Sequence, residues 1–190
     1  MGRAMPDGRG REPVIVAMPD EIALVDYDSR WPQKFALESA RIRSVLAEPT
    51  LEIEHHGSTA VPGLAAKPVI DMLVAVDSMA RAARYAAVLI EYGYEAVDTR
   101  YRELWPERIV LIRREHGVRS CHVHLMLRGH PIWKRLVAFR DYLRTHPDVA
   151  AEYAALKRSL AGAHNDDRHA YMSAKGEFIE RVTTLAMREP

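Results

Sequence analysis

Glycine, serine, threonine and lysine lie close together in a segment that could hold a phosphate group. A predicted strand over residues 51–56 ends at Gly57 and Ser58. Glycine allows another group to approach the backbone closely, and Ser58 or Thr59 can cap a short helix whose N–H groups face an anion. Lys67 adds a positive charge after the turn. This combination predicts a phosphate-binding turn, although the Gly-Ser pair also fits an ordinary tight turn between a strand and a helix.

An acid lies inside an apolar segment shortly after this turn. Residues 69–76 form a predicted buried strand that carries one charged residue, Asp71. Because an unpaired carboxylate in such a strand is costly, we expect Asp71 to contact a metal ion, a cation or backbone donors. The alternative is that Asp71 is only a buried hydrogen-bond acceptor.

Two pairs of histidines accompany these candidates. His122 and His124 alternate with apolar residues over 120–127, so the two-residue period of a strand places both on one face. They could ligate a metal, act as a general base, or form a polar face that binds carboxylates or substrate. His55 and His56 precede the Gly-Ser turn and point to opposite faces, so only one of them can face the pocket.

The segment Ile53–Val74 (IEHHGSTAVPGLAAKPVIDMLV) resembles the signature of the GrpB family, also called UPF0157. The likeness extends over about residues 21 to 187, and it extends to the domain fused to dephospho-CoA kinase in some bacteria. The resemblance implies a nucleotidyltransferase-like α/β (α+β) fold, with a mixed, mostly antiparallel sheet, flanking helices and a helical C-terminal region. It also favours His55 over His56 as the histidine that faces the pocket.

The resemblance also implies a metal site. In the nucleotidyltransferase superfamily, Asp-x-Asp on the strand after the Gly-Ser turn and a third acid on a later strand hold divalent metals. Here Asp71 takes the position of the second acid and Val69 that of the first, while His122 and His124 are the polar residues of the later strand. The implied catalytic and metal-binding residues are Asp71, His122 and His124. The divalent cation is Mg²⁺, Mn²⁺ or Zn²⁺, and one aspartate with imidazoles suits Mn²⁺ or Zn²⁺ better than Mg²⁺.

Basic residues of the C-terminal half complete the predicted phosphate site. Arg140 and Arg144, like Tyr171 and Lys175, are four residues apart on predicted helices and share a helix face. Together with Lys157, they form either surface pairs or a basic lid over the cleft, and the resemblance favours the lid. The predicted phosphate- or nucleotide-binding residues are His55, Gly57, Ser58, Thr59, Lys67, Arg140 and Lys175.

Composition limits the class of protein. The 190 residues carry 27 Lys and Arg against 26 Asp and Glu, a net charge of +1, which argues against a broad nucleic-acid-binding surface. Six arginines lie between residues 100 and 119, and most are expected to be paired within a hairpin. The single cysteine excludes an internal disulfide, and no apolar run reaches the roughly 20 residues of a membrane span. We therefore expect a cytoplasmic protein without a membrane partner.

The elements that must position these residues follow from periodicity and from turn residues. Residues 1–20 are expected to be a flexible tail, and residues 21–190 a single domain whose part 131–188 is helical. The predicted strands cover 51–56, 69–76, 94–97, 109–113 and 120–127, with a further short strand near 22–25. The predicted helices run from near Pro32 to before Pro49, and over 78–92, 131–145, 147–162 and 168–187.

These patterns predict a phosphate- or nucleotide-binding cleft whose partner is a nucleotide or another phosphorylated small molecule. The activity that the resemblance implies is metal-dependent nucleotidyl transfer. One alternative is a non-catalytic regulatory module that binds a nucleotide or a CoA precursor, which Val69 at the first acid's position favours. The other is an Asp/His metal-dependent hydrolase or phosphoryl-transfer enzyme.

Overall fold

The computed structural model describes residues 24–97, 107–163 and 168–189. Strands and helices alternate up to residue 127, and helices alone follow. The elements are α1 (Trp31–Leu46), β1 (Ile53–His56), a 3-10 helix (Ser58–Ala60), β2 (Ile70–Val76), α2 (Met79–Glu91), β3 (Tyr94–Ala96), β4 (Arg108–Glu115), β5 (Val118–Leu127), α3 (Pro131–Thr145), α4 (Pro147–Ala163) and α5 (Arg168–Ala186).

The five strands form one mixed sheet in the order β1-β2-β5-β4-β3. β2 and β5 run parallel, whereas β1–β2, β4–β5 and β3–β4 are antiparallel pairs. The predicted mixed, mostly antiparallel sheet with a helical C-terminal region is therefore confirmed. Of the predicted strand near residues 22–25, the described part contains one antiparallel bridge, between Val25 and Ala66. The predicted tail, residues 1–20, lies outside the described residues.

The interior strand β2 is covered on both faces, which explains its nearly continuous apolar sequence. Met72 and Val74 pack into the core beneath α1 and α2. Leu73 and Ala75 point to the opposite face, where Trp133 of α3 covers them. Since side chains alternate along a strand, Asp71 shares the face of Leu73. The acid therefore lies at the end of a buried strand, on the side of the sheet that faces α3.

The C-terminal helices are tied to the turn that follows β1. Val61 and Leu64, which come just after the 3-10 helix, are buried in one cluster with Leu143, Tyr153 and Phe178 of α3, α4 and α5. This packing holds the segment after Gly57 and Ser58 against the buried side of α4. Across the described ranges, no helix combines the length and the apolar character needed to cross a membrane.

Gly57 provides the first test of how this turn is built. Its φ of 72° and ψ of −173° favour glycine, and a β-carbon there would lie 2.5 Å from Oδ2 of Asp71. We expect Gly57→Ala to lose about 1–3 kcal/mol of unfolding free energy through the backbone conformation alone. The collision with Asp71 should add at least ~1 kcal/mol to that loss.

Gly63→Ala is the matched control for this substitution. Gly63 has a similar φ of 77°, but its β-carbon would meet nothing within 4 Å. It should therefore show the cost of a positive φ without the collision. Urea denaturation of both variants measures the difference, and equal losses would show that Asp71 does not press against Gly57.

Candidate functional site

Three strands place a row of polar side chains on the α3 face of the sheet. His56, the last residue of β1, pairs with Asp71 of β2, and Asp71 pairs in turn with His122 of β5. His124 lies two residues further along β5 and points to the same face. The sheet register, rather than any local motif, therefore brings these four residues together as the Asp71 cluster.

Within the Asp71 cluster, the closest contact joins a carboxylate to an imidazole. Nδ1 of His122 lies 2.9 Å from Oδ1 of Asp71. His56, Asp71 and His124 each offer one ligand atom, and these three atoms all lie within 4.8 Å of one another. The His56 and His124 rings meet edge to face, with centroids 5.1 Å apart. The predicted Asp71, His122 and His124 are thus brought together, and His56 joins them.

Burial controls the protonation of the cluster. It lowers the pKa of His56 to about 4 and that of His124 well below its ordinary value, although the Asp71 charge acts in the opposite direction. Burial alone would raise the pKa of Asp71, but the hydrogen bond with His122 and the nearby imidazoles hold it below its usual range. At neutral pH the cluster therefore contains one carboxylate and at least two neutral imidazoles.

This donor set does not fit a pair of magnesium ions. Magnesium prefers hard oxygen ligands, most often from carboxylates. Val69 occupies the position of the first expected acid, and His122 lies where β5 pairs with Asp71. Among the described residues, the group that could hold an ion contains one carboxylate and two imidazoles.

The second half of the site is a buried lysine beside the Gly-Ser turn. Nζ of Lys157, on α4, donates to Oγ of Ser58 at 2.9 Å and to the carbonyl oxygen of Ala65. Nζ also lies 4.7 Å from the centroid of the Tyr153 ring. Lys157 is 3% exposed, and within the described residues no carboxylate forms an ion pair with it. Burial, together with the charges of Lys175 and Arg158, lowers its pKa to about 7.

His55 lies on the other face of β1 from the Asp71 cluster. Its ring stacks on Phe35 of α1 with centroids 4.7 Å apart, and its Nε2 lies 3.0 Å from Oγ1 of Thr59. Oγ1 of Thr59 in turn donates to the carbonyl oxygen of Val69. His55 and Thr59 therefore brace the turn from the α1 side, where His55 also lines a cavity of about 430 Å³. His56, rather than His55, joins the Asp71 cluster, and phosphate binding by His55 stays a prediction.

The guanidinium group of Arg140 makes its hydrogen bonds to other groups of the protein. Its Nη1 donates to Glu54 at 2.6 Å and to the carbonyl oxygen of His55 at 2.7 Å, and its Nε and Nη2 bind Asp141. These bonds hold α3 against β1, which gives Arg140 a structural role. Phosphate binding by Arg140 stays a prediction. Lys67, in the turn before β2, and Lys175, on α5, are both half-buried.

The arginine-rich hairpin is mainly a set of ion pairs. Arg113 bonds to Glu38 and Glu115, and Arg114 bonds to Glu95. The charges are paired as expected, but of these partners only Glu115 belongs to the hairpin, whereas Glu38 lies on α1 and Glu95 on β3. Arg100 and Arg102 lie outside the described residues.

His56 is missing from the sequence-based site, and Lys157 enters it only as part of the basic lid. Leu51 and Ile53 are both buried, so alternation along β1 carries His55 to the core side and His56 to the other, a signal that was available. Lys157 lies four residues after Tyr153, whose ring is buried in the helical cluster. A lysine on the apolar stripe of a helix is the corresponding signal, but its contact with Ser58 depends on tertiary packing.

Comparison with solved structures supports the class of fold. Terminal uridylyl transferase 4 from Trypanosoma brucei, solved with bound UTP, has a TM-score of 0.50 and 14% identity to this chain. The match covers 86% of this chain and 52% of that one. At this low identity the likeness concerns the fold alone, and it defines the protein as one with a nucleotidyltransferase-like fold.

Closer relatives define the family. Residues 21–185 match the family described as GrpB protein. The crystal structure of GrpB from Enterococcus faecalis has a TM-score of 0.77 and 34% identity, and the match covers 87% of this chain and 98% of that one. A UPF0157 protein of Pseudomonas aeruginosa is 40% identical in an alignment 179 residues long that covers 88% of this chain and 69% of the relative. The chain belongs to the GrpB family.

Some relatives are longer than this chain. A UPF0157 protein of Bacillus subtilis is 34% identical over 174 residues, which cover 88% of this chain and 48% of the relative. A dephospho-CoA kinase of Mycolicibacterium paratuberculosis is 30% identical over 177 residues, which cover 81% of this chain and 43% of the kinase. The chain thus spans about half the length of these relatives, and the expected likeness to dephospho-CoA kinases is confirmed.

The burial of Lys157 makes a prediction about stability and pH. The folded protein releases the Lys157 proton near pH 7, whereas the unfolded chain holds it up to about 10.5. Between these values the unfolded state binds more protons, so this group makes the unfolding free energy rise with pH. Lys157→Met removes that contribution. Between pH 7 and pH 10, the unfolding free energy of the parent should therefore rise by on the order of a few kcal/mol relative to that of the variant.

Urea denaturation of parent and variant at several pH values measures this difference. The matched control is Lys34→Met, because Lys34 is an exposed lysine on α1. The stability of Lys34→Met relative to the parent should not change between pH 7 and pH 10. A pH-independent difference for Lys157→Met would show that Lys157 keeps its proton in the folded protein.

Proposed function

We propose that the protein binds a nucleotide or another phosphorylated small molecule through the Gly57–Ser58 turn and Lys157. The observation that carries the proposal is the buried amine of Lys157, which donates to Ser58 while no carboxylate of the described residues pairs with it. A buried cation without a counter-ion is costly, and a phosphate group would supply the missing charge and strong acceptor oxygens. Lys175 lies close enough to reinforce the positive potential.

The lysine, rather than a helix terminus, is the main attraction for phosphate in this proposal. The short helix expected after Gly57 is a 3-10 helix of three residues, so its dipole contributes little. Lys157 and Lys175 come from the two C-terminal helices, α4 and α5. Nucleotides are the favoured class of ligand because a fold relative at TM-score 0.50 was solved with bound UTP.

A second candidate function is transfer of a phosphoryl or nucleotidyl group to a hydroxyl acceptor. The specific observation in its favour is the 2.9 Å contact between Asp71 and His122. A carboxylate bonded to Nδ1 fixes the orientation of the imidazole and makes Nε2 a suitable proton acceptor. His122 would take the proton of the hydroxyl as its oxygen attacks phosphorus, while Lys157 neutralises charge on the departing phosphate.

Ligand binding can be tested by thermal unfolding in the presence of a chelator. ATP, UTP, pyrophosphate and CoA precursors should include at least one that stabilises the parent, by about 2.7 kcal/mol when its concentration is 100 times the Kd. Ser58→Ala and Lys157→Met should lose most of this stabilisation. Lys34→Met, on exposed α1 surface, should keep it. Equal stabilisation of the parent and Lys157→Met would refute the proposed site.

The same screen separates binding from catalysis. Asp71→Asn and His122→Asn leave Ser58 and Lys157 intact, so they should retain phosphate-dependent stabilisation. If the protein is a transferase, both substitutions should lower turnover by about 100-fold or more. A turnover that is unchanged in His122→Asn would exclude the role of His122 as a base.

A further inference from the structure

We propose that His56, Asp71 and His124 form a binding site for a single divalent transition-metal ion, with zinc as the best-fitting metal. Each of the three residues offers a ligand atom, and these atoms lie within 4.8 Å of one another. In a tetrahedral zinc site with ligand bonds near 2.1 Å, neighbouring ligand atoms are ~3.4 Å apart. Small side-chain rotations would close the remaining gap, because the sheet already fixes the three backbone positions.

Unpartnered imidazole nitrogens provide an independent reason for this site. Among the described residues, Nε2 of His56 and Nδ1 of His124 are buried and have no hydrogen-bond partner. His56 is only 7% exposed. A buried nitrogen without a partner costs about 1–3 kcal/mol, and coordination of a metal ion would satisfy both nitrogens at once.

The donor types select the metal. Two imidazoles with one carboxylate match the three protein ligands found in many zinc centres that keep a fourth position open. Imidazole also suits other divalent transition metals, whereas magnesium prefers oxygen ligands. The site therefore differs from a magnesium pair both in its ligands and in the number of ions.

His122 takes a different position from its predicted place in the ligand set. Its Nδ1 lies 2.9 Å from Oδ1 of Asp71, so it orients the carboxylate rather than joining the group of three ligand atoms. Partners of this kind tune a metal site, and their removal usually weakens binding by 10- to 100-fold. His122 is thus a positioning residue for the metal.

This site goes beyond the proposed function, since phosphate binding by Lys157 needs no metal. The two sites are nevertheless adjacent, because Gly57 lies between His56 and Ser58 and closely approaches Asp71.

The test is metal binding by the full chain after treatment with a chelator. Titration with Co²⁺, followed by visible absorption, and with Zn²⁺, followed by elemental analysis, should give one ion per chain. His56→Gln, Asp71→Asn and His124→Gln should each weaken binding at least 100-fold, and His122→Asn only 10- to 100-fold. Millimolar Mg²⁺ should not displace the Co²⁺.

Two controls keep the outcome interpretable. His116→Asn alters an exposed histidine whose φ of 52° asparagine tolerates, and it should bind metal like the parent. Lys157→Met should also bind metal like the parent. The phosphate site is tested separately, by the thermal stabilisation that pyrophosphate gives in the presence of a chelator. Failure of one proposal is therefore distinguishable from failure of the other.

Nitrogen NMR of the parent covers the case in which a ligand variant fails to fold. Added Zn²⁺ should shift the imidazole signals of His56 and His124 and leave that of His116 unchanged. The proposal is overturned if one equivalent of Zn²⁺ leaves the His56 and His124 signals unchanged. It is also overturned if folded His56→Gln and His124→Gln bind metal with the affinity of the parent, or if Mg²⁺ competes equally with Co²⁺ for the site.

Discussion

The parallel pairing of β2 with β5 determines which side chains surround Asp71. It sets His122 directly across from the acid, while the antiparallel pairing of β1 sets His56 on its other side. A shift of one residue in either register would turn a whole strand over and send its polar residues into the apolar core. The buried layers on both faces of β2 prevent such a shift, so the hydrophobic core is what keeps the polar cluster assembled.

Lys157 shows how the helices depend on the same turn. Its Nζ reaches Ser58 and the carbonyl oxygen of Ala65 because Val61 and Leu64 pack into the helical cluster. The apolar contacts thus hold an amine in a place where burial disfavours its charged form. The protein keeps this unfavourable group beside a glycine-serine turn, and the proposed phosphate site rests on that juxtaposition.

Much of the fold could be predicted because its local signals agree with the tertiary structure. The apolar run of β2, the alternation in β5 and the proline residues that open α3 and α4 all indicate the observed elements. The site was less predictable, since His55 and His56 are neighbours with the same chemistry and only the sheet decides their roles. Lys157 contacts a residue 99 positions away, and no local pattern specifies such a contact.

The separation of these residues along the chain also bears on how the protein folds. Asp71 and His122 are 51 residues apart, and Ser58 and Lys157 are 99 residues apart. Closing loops of this length costs entropy before any contact compensates for it, and such non-local contacts slow folding. A partly folded chain that lacked the β2–β5 pair or docked C-terminal helices would contain neither half of the site. Molecules that bind there would therefore stabilise only the completed fold and would give no help to earlier intermediates.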